Sequence, residues 1–257
     1  MVRSLSILYA TLLYGFIFLP VAVLVLFSFQ GTLFPIPPFN GPSLRWYAAV
    51  LSDARLTAGL VNSIAVAVIT SAIATLLGFL SAWGFARFPL PASGLLRGLI
   101  TLPLMVSYLI IGMGLLIFFN WIGLPKSLIT AGIGHVVINL PLCFAIIYAQ
   151  MGDHQANIER AARDLGAAEW QVLTLITAPM LWPALFAAFF LSMTFSWDEF
   201  VISFLLTRFE TTLPVEIWNL LRAGLNPKTN AVGALVFGVS IVLAIIFELV
   251  AFRKRSP

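Results

Sequence analysis

Six apolar stretches, each bounded by charged residues, set the frame of this chain. A crossing helix needs about 20 apolar residues, and spans are expected over roughly 5–29, 60–85, 99–119, 128–150, 179–206 and 230–252. The first stretch is too long for a signal peptide and lacks a small-residue cleavage site, so it reads as a retained helix. Between the first two spans, Pro35, Pro37 and Pro38 make an extended loop, and 44–56, with Arg45, Asp53 and Arg55, predicts a short amphipathic helix. Span two carries Ala74, Gly78 and Ala82 at four-residue spacing, a stripe small enough to let helix backbones approach. Pro103 and the Gly112-x-Gly114 pair are places where span three could bend, and span four contains His135, Asn139 and Pro141.

The longest polar interruption runs over 151–178. Its residues Ile158 to Leu165 are strong helix formers, so a short helix is expected there, ended by Gly166 in a left-handed cap. Ile158, Ala162, Leu165 and Glu169 share one face, and Glu159, Arg160, Arg163 and Asp164 project elsewhere. The product is a charged knob between two membrane helices. A plain interfacial connector would account for the same composition.

Composition fixes the class. The 257 residues are 61% hydrophobic and 9% charged, where a soluble domain has about 25% charged residues. This is an all-α polytopic membrane protein of one domain. A net charge of +4 scattered between spans makes no basic stripe for nucleic acid. The single cysteine, Cys143, excludes an internal disulfide and reads as packing. With six spans both termini share a side, which collects Arg3, Arg87, Arg97, Arg160, Arg163, Arg253, Lys254 and Arg255, eight basic residues against six opposite. That bias predicts cytoplasmic termini and a cytoplasmic knob.

Chemistry in the spans is sparse. Asp198 and Glu199 interrupt span five, and acids inside a membrane helix usually face a cavity, a partner or a pathway. Counted from Pro179, Asp198 lies about 28 Å along that span, in the outer part of the bilayer, with apolar residues continuing beyond. His135 reads as a hydrogen-bonded packing residue, with no Cys or carboxylate at metal-ligand spacing. No Gly-x-x-x-x-Gly-Lys-Ser/Thr loop is present, so ATP hydrolysis must come from another polypeptide. No motif supplies a catalytic triad, and no inverted half-repeat marks a secondary carrier.

The spacing over 159–179 resembles the cytoplasmic-loop signature of binding-protein-dependent ABC importer permeases: Glu-Ala-Ala, three residues, Gly, nine residues, Ile-x-Leu-Pro. Here Ala161-Ala162 precede Gly166 at that spacing, and Ile176-Thr177-Ala178-Pro179 follow it. Arg160 stands at the signature's Glu position with Glu159 one residue earlier, and Ala178 stands at its Leu. Farther along, Asp198-Glu199-Phe200, Thr212-Leu213-Pro214, Ile217, Arg222-x-Gly224-x-x-Pro227 and Asn230-Ala231 are similar to the spermidine/putrescine-type permeases, as are Leu44-Arg45-Trp46-Tyr47 and Asn62-Ser63.

The resemblance implies a type I ABC importer (MetI-like) fold in the bacterial inner membrane. It implies a homologous permease partner, two ATPase subunits that hold ATP and Mg in place of any cofactor here, and a periplasmic substrate-binding protein. Glu159, Arg160, Ala161, Ala162, Arg163, Asp164 and Gly166 would then couple to the ATPase. Trp197, Asp198, Glu199, Phe195 and Glu216 would line the substrate pathway, the acids pairing with ammonium groups and the rings adding cation–π contacts. Arg208, Arg222 and Lys228 oppose a purely acidic outer segment. Related permeases carry iron, thiamine, amino-acid-like compounds and opines, so an importer for one of these is the alternative, with an ion-coupled carrier the rival from another class.

Overall fold

The computed structural model describes residues 2–224 and 226–252; Arg253, Lys254 and Arg255, invoked for orientation, lie outside the described residues. Helix α1 (Val2–Ser28) leads through a proline-rich loop to α2 (Arg45–Leu51) and α3 (Ala54–Arg87). Next come α4 (Ser93–Thr101), a 3₁₀ turn at Leu102–Met105, α5 (Tyr108–Trp121) and α6 (Leu128–Tyr148). The polar interruption forms α7 (Asp153–Asp164), α8 (Glu169–Gln171), a π-helical stretch at Val172–Thr177 and α9 (Ala178–Met180). The chain then continues as α10 (Trp182–Asp198), α11 (Val201–Leu206), α12 (Leu213–Ala223) and α13 (Pro227–Phe252).

Four of these helices, α1, α3, α6 and α13, are each long and apolar enough to cross a membrane alone. The number rises to six if two bent pairs each make one span: Ser93–Met105 with Tyr108–Trp121, bent by 108°, and Glu169–Met180 with Trp182–Asp198, bent by 74°. Four expectations are corrected here. Span three is no single helix, because Pro103 sits in the 3₁₀ turn, Val106 is extended and Ser107 starts a new helix by accepting from Leu109 N. Span two begins at Ala54 rather than 60, because Asp53 ends the amphipathic segment and starts the long helix. The knob helix begins at Asp153, not 158, and ends at Asp164. Span five enters only at Trp182 and breaks after Asp198, which places that acid about 24 Å along α10.

The chain divides into two compact units. The first comprises residues 1–59 and 213–243. Its uncharged loop is ordered around the fully buried side chain of Gln30. The Gln30 amide donates to Thr32 Oγ1 and to the carbonyls of Ile36 and Pro38, and its oxygen accepts from Asn40 N. Trp46 Nε1 donates to the Gln30 carbonyl at 2.7 Å and holds α2 beneath the loop.

Asp53 does two jobs in this unit. Its Oδ1 accepts from Arg55 N and Leu56 N, capping α3, and its Oδ2 accepts from Lys228 Nζ at 2.6 Å. The Lys228 bond, helped by the two amides, holds the Asp53 carboxyl below its ordinary value of 3.8. A depressed carboxylate stabilises fully above its unfolded value, and that contribution is lost as pH falls through the lower native one. Asp53→Ala is therefore expected to cost about 1–2 kcal/mol at neutral pH, with the gap to the parent closing below about pH 4. Thermal unfolding of detergent-solubilised protein against pH reads this.

The second unit comprises 60–212 and 244–257. Its centre is the contact of α3 with α6. Ala74 and Ala82 are fully buried, and a Cβ placed on Gly78 would lie 2.8 Å from both Cys143 Cβ and Phe144 N. The expected small-residue stripe thus brings backbone against backbone. Around it pack Phe79, Cys143, Phe144, Ile147, Leu181 and Ala188. A second cluster joins Phe119, Ala131, Ile138, Ile202 and Leu206, seating α11 on α5 and α6.

Candidate functional site

Two polar constructions stand out in the second unit: the knob, and the break between α10 and α11. Helix α7 ends as its sequence dictates. Gly166 has φ +87, its N–H donates to the Arg163 carbonyl, and Ala167 N donates to the Ala162 carbonyl. This paired bonding is a Schellman cap, and it needs the left-handed conformation that glycine adopts without a Cβ penalty.

The knob is fastened from below by an ion pair that sequence reading missed. Glu159, expected to project outward, is fully buried. Its carboxylate accepts from Arg87 Nε at 2.6 Å and Arg87 Nη2 at 3.2 Å, a two-toothed pairing from the end of α3, and from Thr177 Oγ1 at 3.0 Å. Arg163 lies 3.9 Å from the same carboxylate and bonds Glu169 through Nε and Nη2 at 2.7 and 3.1 Å. Arg87, Glu159, Arg163 and Glu169 thereby form one chain of alternating charge linking α3, α7 and α8. Its signal in the sequence was a lone arginine at the end of a long apolar span, 72 residues before its partner.

Thr177 also gives the loop's fixed spacing a physical meaning. The residue lies in the Ile176-Thr177-Ala178-Pro179 segment, and its hydroxyl reaches back to Glu159 at the other end of the motif. What remains outward on the knob is Arg160, Ala161, Asp164 and Gly166, with Leu165 90% exposed and Trp170 64% exposed. Ala162 and Arg163 are half-buried. With Asp153, Ile158 and Glu169 also exposed, the outer surface mixes charged side chains with large apolar ones.

At the second construction α10 ends at Asp198, Glu199 is extended, and α11 starts at Val201. Glu199 is buried and turned inward: its carboxylate accepts from Ile202 N at 3.0 and 2.9 Å and from Ser203 N at 3.2 Å, capping α11. Trp197 is buried too, its Nε1 without a hydrogen-bond partner among the described residues. Phe195 and Asp198 are exposed on the other face of α10. The helical period explains the split, since Ser192 and Ser196 turn inward while positions 195 and 198 turn out. The four expected pathway residues of this unit thus divide between its interior and its surface. Trp197 and Glu199 are committed to the interior, Phe195 and Asp198 are open, and Glu216 belongs to the first unit, half-buried on α12 with its Cγ 3.3 Å from where a Cβ on Gly59 would stand.

His135 on α6 is fully buried beside the break. One ring nitrogen bonds Ser196 Oγ at 2.6 Å and the other Ser203 Oγ at 2.9 Å, with Glu199 Oε2 at 3.5 Å from Nε2. Ser196 also meets Thr70 Oγ1 at 3.1 Å, and Ser192 donates to Ser71 at the same distance, tying α10 to α3. Near the ends of α5, α6 and α11 lies a half-open cavity of about 1050 Å³, whose lining includes Asn120, Lys126, Thr207, Arg208 and Phe209. Among the described residues no cluster of three His, Cys, Asp or Glu side chains could hold a metal ion.

Comparison with known proteins accords with this architecture. The chain is 34% identical over 261 residues to the putrescine transport system permease protein PotI of Escherichia coli (strain K12), covering 95% of this chain and 91% of the relative. It is 27% identical over 250 residues to the spermidine/putrescine transport system permease protein PotC of the same organism, covering 96% and 94%. The fold matches one chain of a bacterial ABC transporter involved in the import of the acidic polysaccharide alginate, with a TM-score of 0.77 at 16% identity over 99% of this chain and 96% of that one. The family model for binding-protein-dependent transport system inner membrane components matches residues 74–256. It spans both polar constructions, and the chain belongs to that family of inner-membrane transport components.

Proposed function

We propose that this chain is one of two permease subunits in an ATP-driven, binding-protein-dependent importer of polyamines, spermidine or putrescine. The observation that carries the reading is the near full-length similarity to PotI and PotC. The exposed Asp198 carboxylate, unpaired among the described residues and beside a helix break, supports a cationic substrate. Separate ATPase subunits hold ATP and Mg and grip the knob through Arg160, Ala161, Asp164, Leu165 and the Gly166 turn. Buried Glu159 and half-buried Arg163 stiffen the knob from beneath, and Ala162 packs behind them. The termini and the knob are cytoplasmic, a periplasmic binding protein delivers substrate from the other side, and the chain works as one permease domain.

Because the polypeptide lacks a phosphate-binding loop, movement of the knob is its only access to the energy of ATP. Closure of the ATPase pair draws the knobs of the two permease subunits together. Rigid-body rotation of the packed helices then exposes the pathway to the opposite side.

The two acids separate the substrate reading from simple stability. In the assembled transporter, Asp198→Asn is expected to lower spermidine uptake about tenfold or more, as for one lost charge-assisted contact, with the melting temperature unchanged. Glu199→Ala strips two α11 amides of their acceptor and is expected to lower the melting temperature, at a cost of about 2–4 kcal/mol. Radiolabelled uptake in proteoliposomes, beside a melting curve, distinguishes the two. Full uptake by the Asp198 variant would remove that carboxylate from the pathway. An importer for an amino-acid-like compound is the second reading, favoured by the Lys126 and Arg208 cations on the 1050 Å³ cavity; substrate competition in the same assay decides between them.

A further inference from the structure

We infer that His135 is a positioning residue, a latch that holds the α10–α11 span in its broken form and thereby sets how Asp198 is presented. Ser196 lies on α10 and Ser203 on α11, one on each side of the break, and the same imidazole bonds both at 2.6 and 2.9 Å. A neutral imidazole has one donor and one acceptor nitrogen, and each serine hydroxyl can take the complementary role, so both bonds are satisfied with no charge on the ring. The ring is fully buried, so water does not compete for those bonds.

Geometry makes this more than a satisfied packing contact. Serines seven residues apart on an unbroken helix sit about 10.5 Å apart along its axis and roughly on one face. An imidazole with nitrogens about 2.2 Å apart reaches, with its two hydrogen bonds, about 8 Å at most. The ring is therefore too short for a continuous helix and fits the broken one. Glu199, lodged against α11 through Ile202 N and Ser203 N, keeps the second helix starting where Ser203 can reach the ring. Thr70, meeting Ser196 at 3.1 Å, holds the other serine in place from α3. Closing this break into one continuous helix requires one serine to leave His135, so the latch favours the broken state and the aspect in which α10 shows its last residue, Asp198.

The presentation of Asp198 rests on the proposed transport reading; the latch does not, and the experiment separates them. Spin labels are placed at Leu191→Cys on α10 and Phe204→Cys on α11, both exposed positions, with Cys143→Ala removing the native thiol, in the whole transporter in nanodiscs. Pulsed electron–electron distances are compared for the parent, His135→Phe, His135→Gln and Ser203→Ala. The parent distance is expected to shift or broaden in His135→Phe and in Ser203→Ala, and to be restored in His135→Gln, whose amide offers a donor nitrogen and an acceptor oxygen. Ser203→Ala removes one oxygen only and keeps the test alive should the phenylalanine variant fail to assemble. Spermidine uptake at low concentration is expected to fall about tenfold in His135→Phe, the size of one lost buried hydrogen bond. An unaltered distance distribution in both Phe and Ala variants overturns the latch. A shifted distribution with normal uptake overturns the presentation of Asp198, and a parent complex that takes up no polyamine overturns the transport reading alone.

Discussion

Glu159→Ala is expected to destabilise the protein by about 3–5 kcal/mol, because it leaves Arg87 buried and unpaired. The Arg87 side chain is only 9% exposed and the Glu159 side chain fully buried, so neither charge can turn to water when its partner is lost. The Thr177 hydroxyl loses its acceptor in the same change. The double variant Arg87→Met with Glu159→Leu is expected to recover most of that loss, since an apolar pair of similar volume avoids the desolvation cost of two ions. Coupling should not recover with it. The parent knob is held to α3 by two directed bonds that fix its angle, whereas an apolar pair lets α7 slide. The expected pattern is a near-parent melting temperature in the double variant, with substrate-stimulated ATPase activity of the assembled transporter still depressed. Full recovery of both would reduce the ion pair to packing.

A Glu159 that meets the ATPase directly, as the sequence suggests, is expected instead to cost coupling in both variants while the single variant keeps its stability. Four charged residues stand in the segment from Glu159 to Asp164, in two pairs either side of Ala161-Ala162, and helical periodicity does not say which face is covered. The covering residues come from elsewhere: Arg87 closes α3 and Thr177 lies in the π-helical stretch before α9. Contacts across 72 residues leave no mark in local periodicity. Gly166 was legible for the opposite reason, since its positive φ and the two bonds of the cap involve residues within five positions of one another.

The same division runs through the spans. The apolar lengths of α1, α6 and α13 were readable, because the bilayer sets the length of a helix that crosses alone. The breaks were half readable. Pro103 and the Asp198-Glu199 pair marked the right neighbourhoods, yet a proline inside a span only permits a bend. The 108° turn between α4 and α5, with their intervening 3₁₀ segment, depends on what the helices pack against. At the second break the acids were noticed as charge in a membrane, while their different fates follow from a register of one residue: Asp198 ends α10 facing out, and Glu199 turns in to cap α11. His135 was read correctly as hydrogen-bonded. Its serine partners, 61 and 68 residues downstream, had no local signature.

Gly78→Leu is expected to abolish stable assembly, and even Gly78→Ala to cost about 2–3 kcal/mol. The strength of the effect follows from what stands opposite. A Cβ at Gly112 would meet the far end of the Leu205 side chain, which can rotate away, but at Gly78 it would lie 2.8 Å from Phe144 N and 3.0 Å from Cys143 C, which are backbone. Relief requires α3 and α6 to separate along their whole contact, and that separation opens the cluster of Phe79, Phe144, Ile147 and Leu181. It also moves two polar attachments at once, because α3 carries both Arg87, which holds the knob, and Thr70, which meets Ser196 near the break. Size-exclusion profiles and melting curves of Gly78→Ala and Gly112→Ala are expected to diverge, the first strongly destabilised and the second near the parent. Equal behaviour would mean that α3 and α6 do not rely on backbone contact. Unequal behaviour would identify the α3–α6 contact as one made backbone against backbone, which every attachment on α3 then depends on.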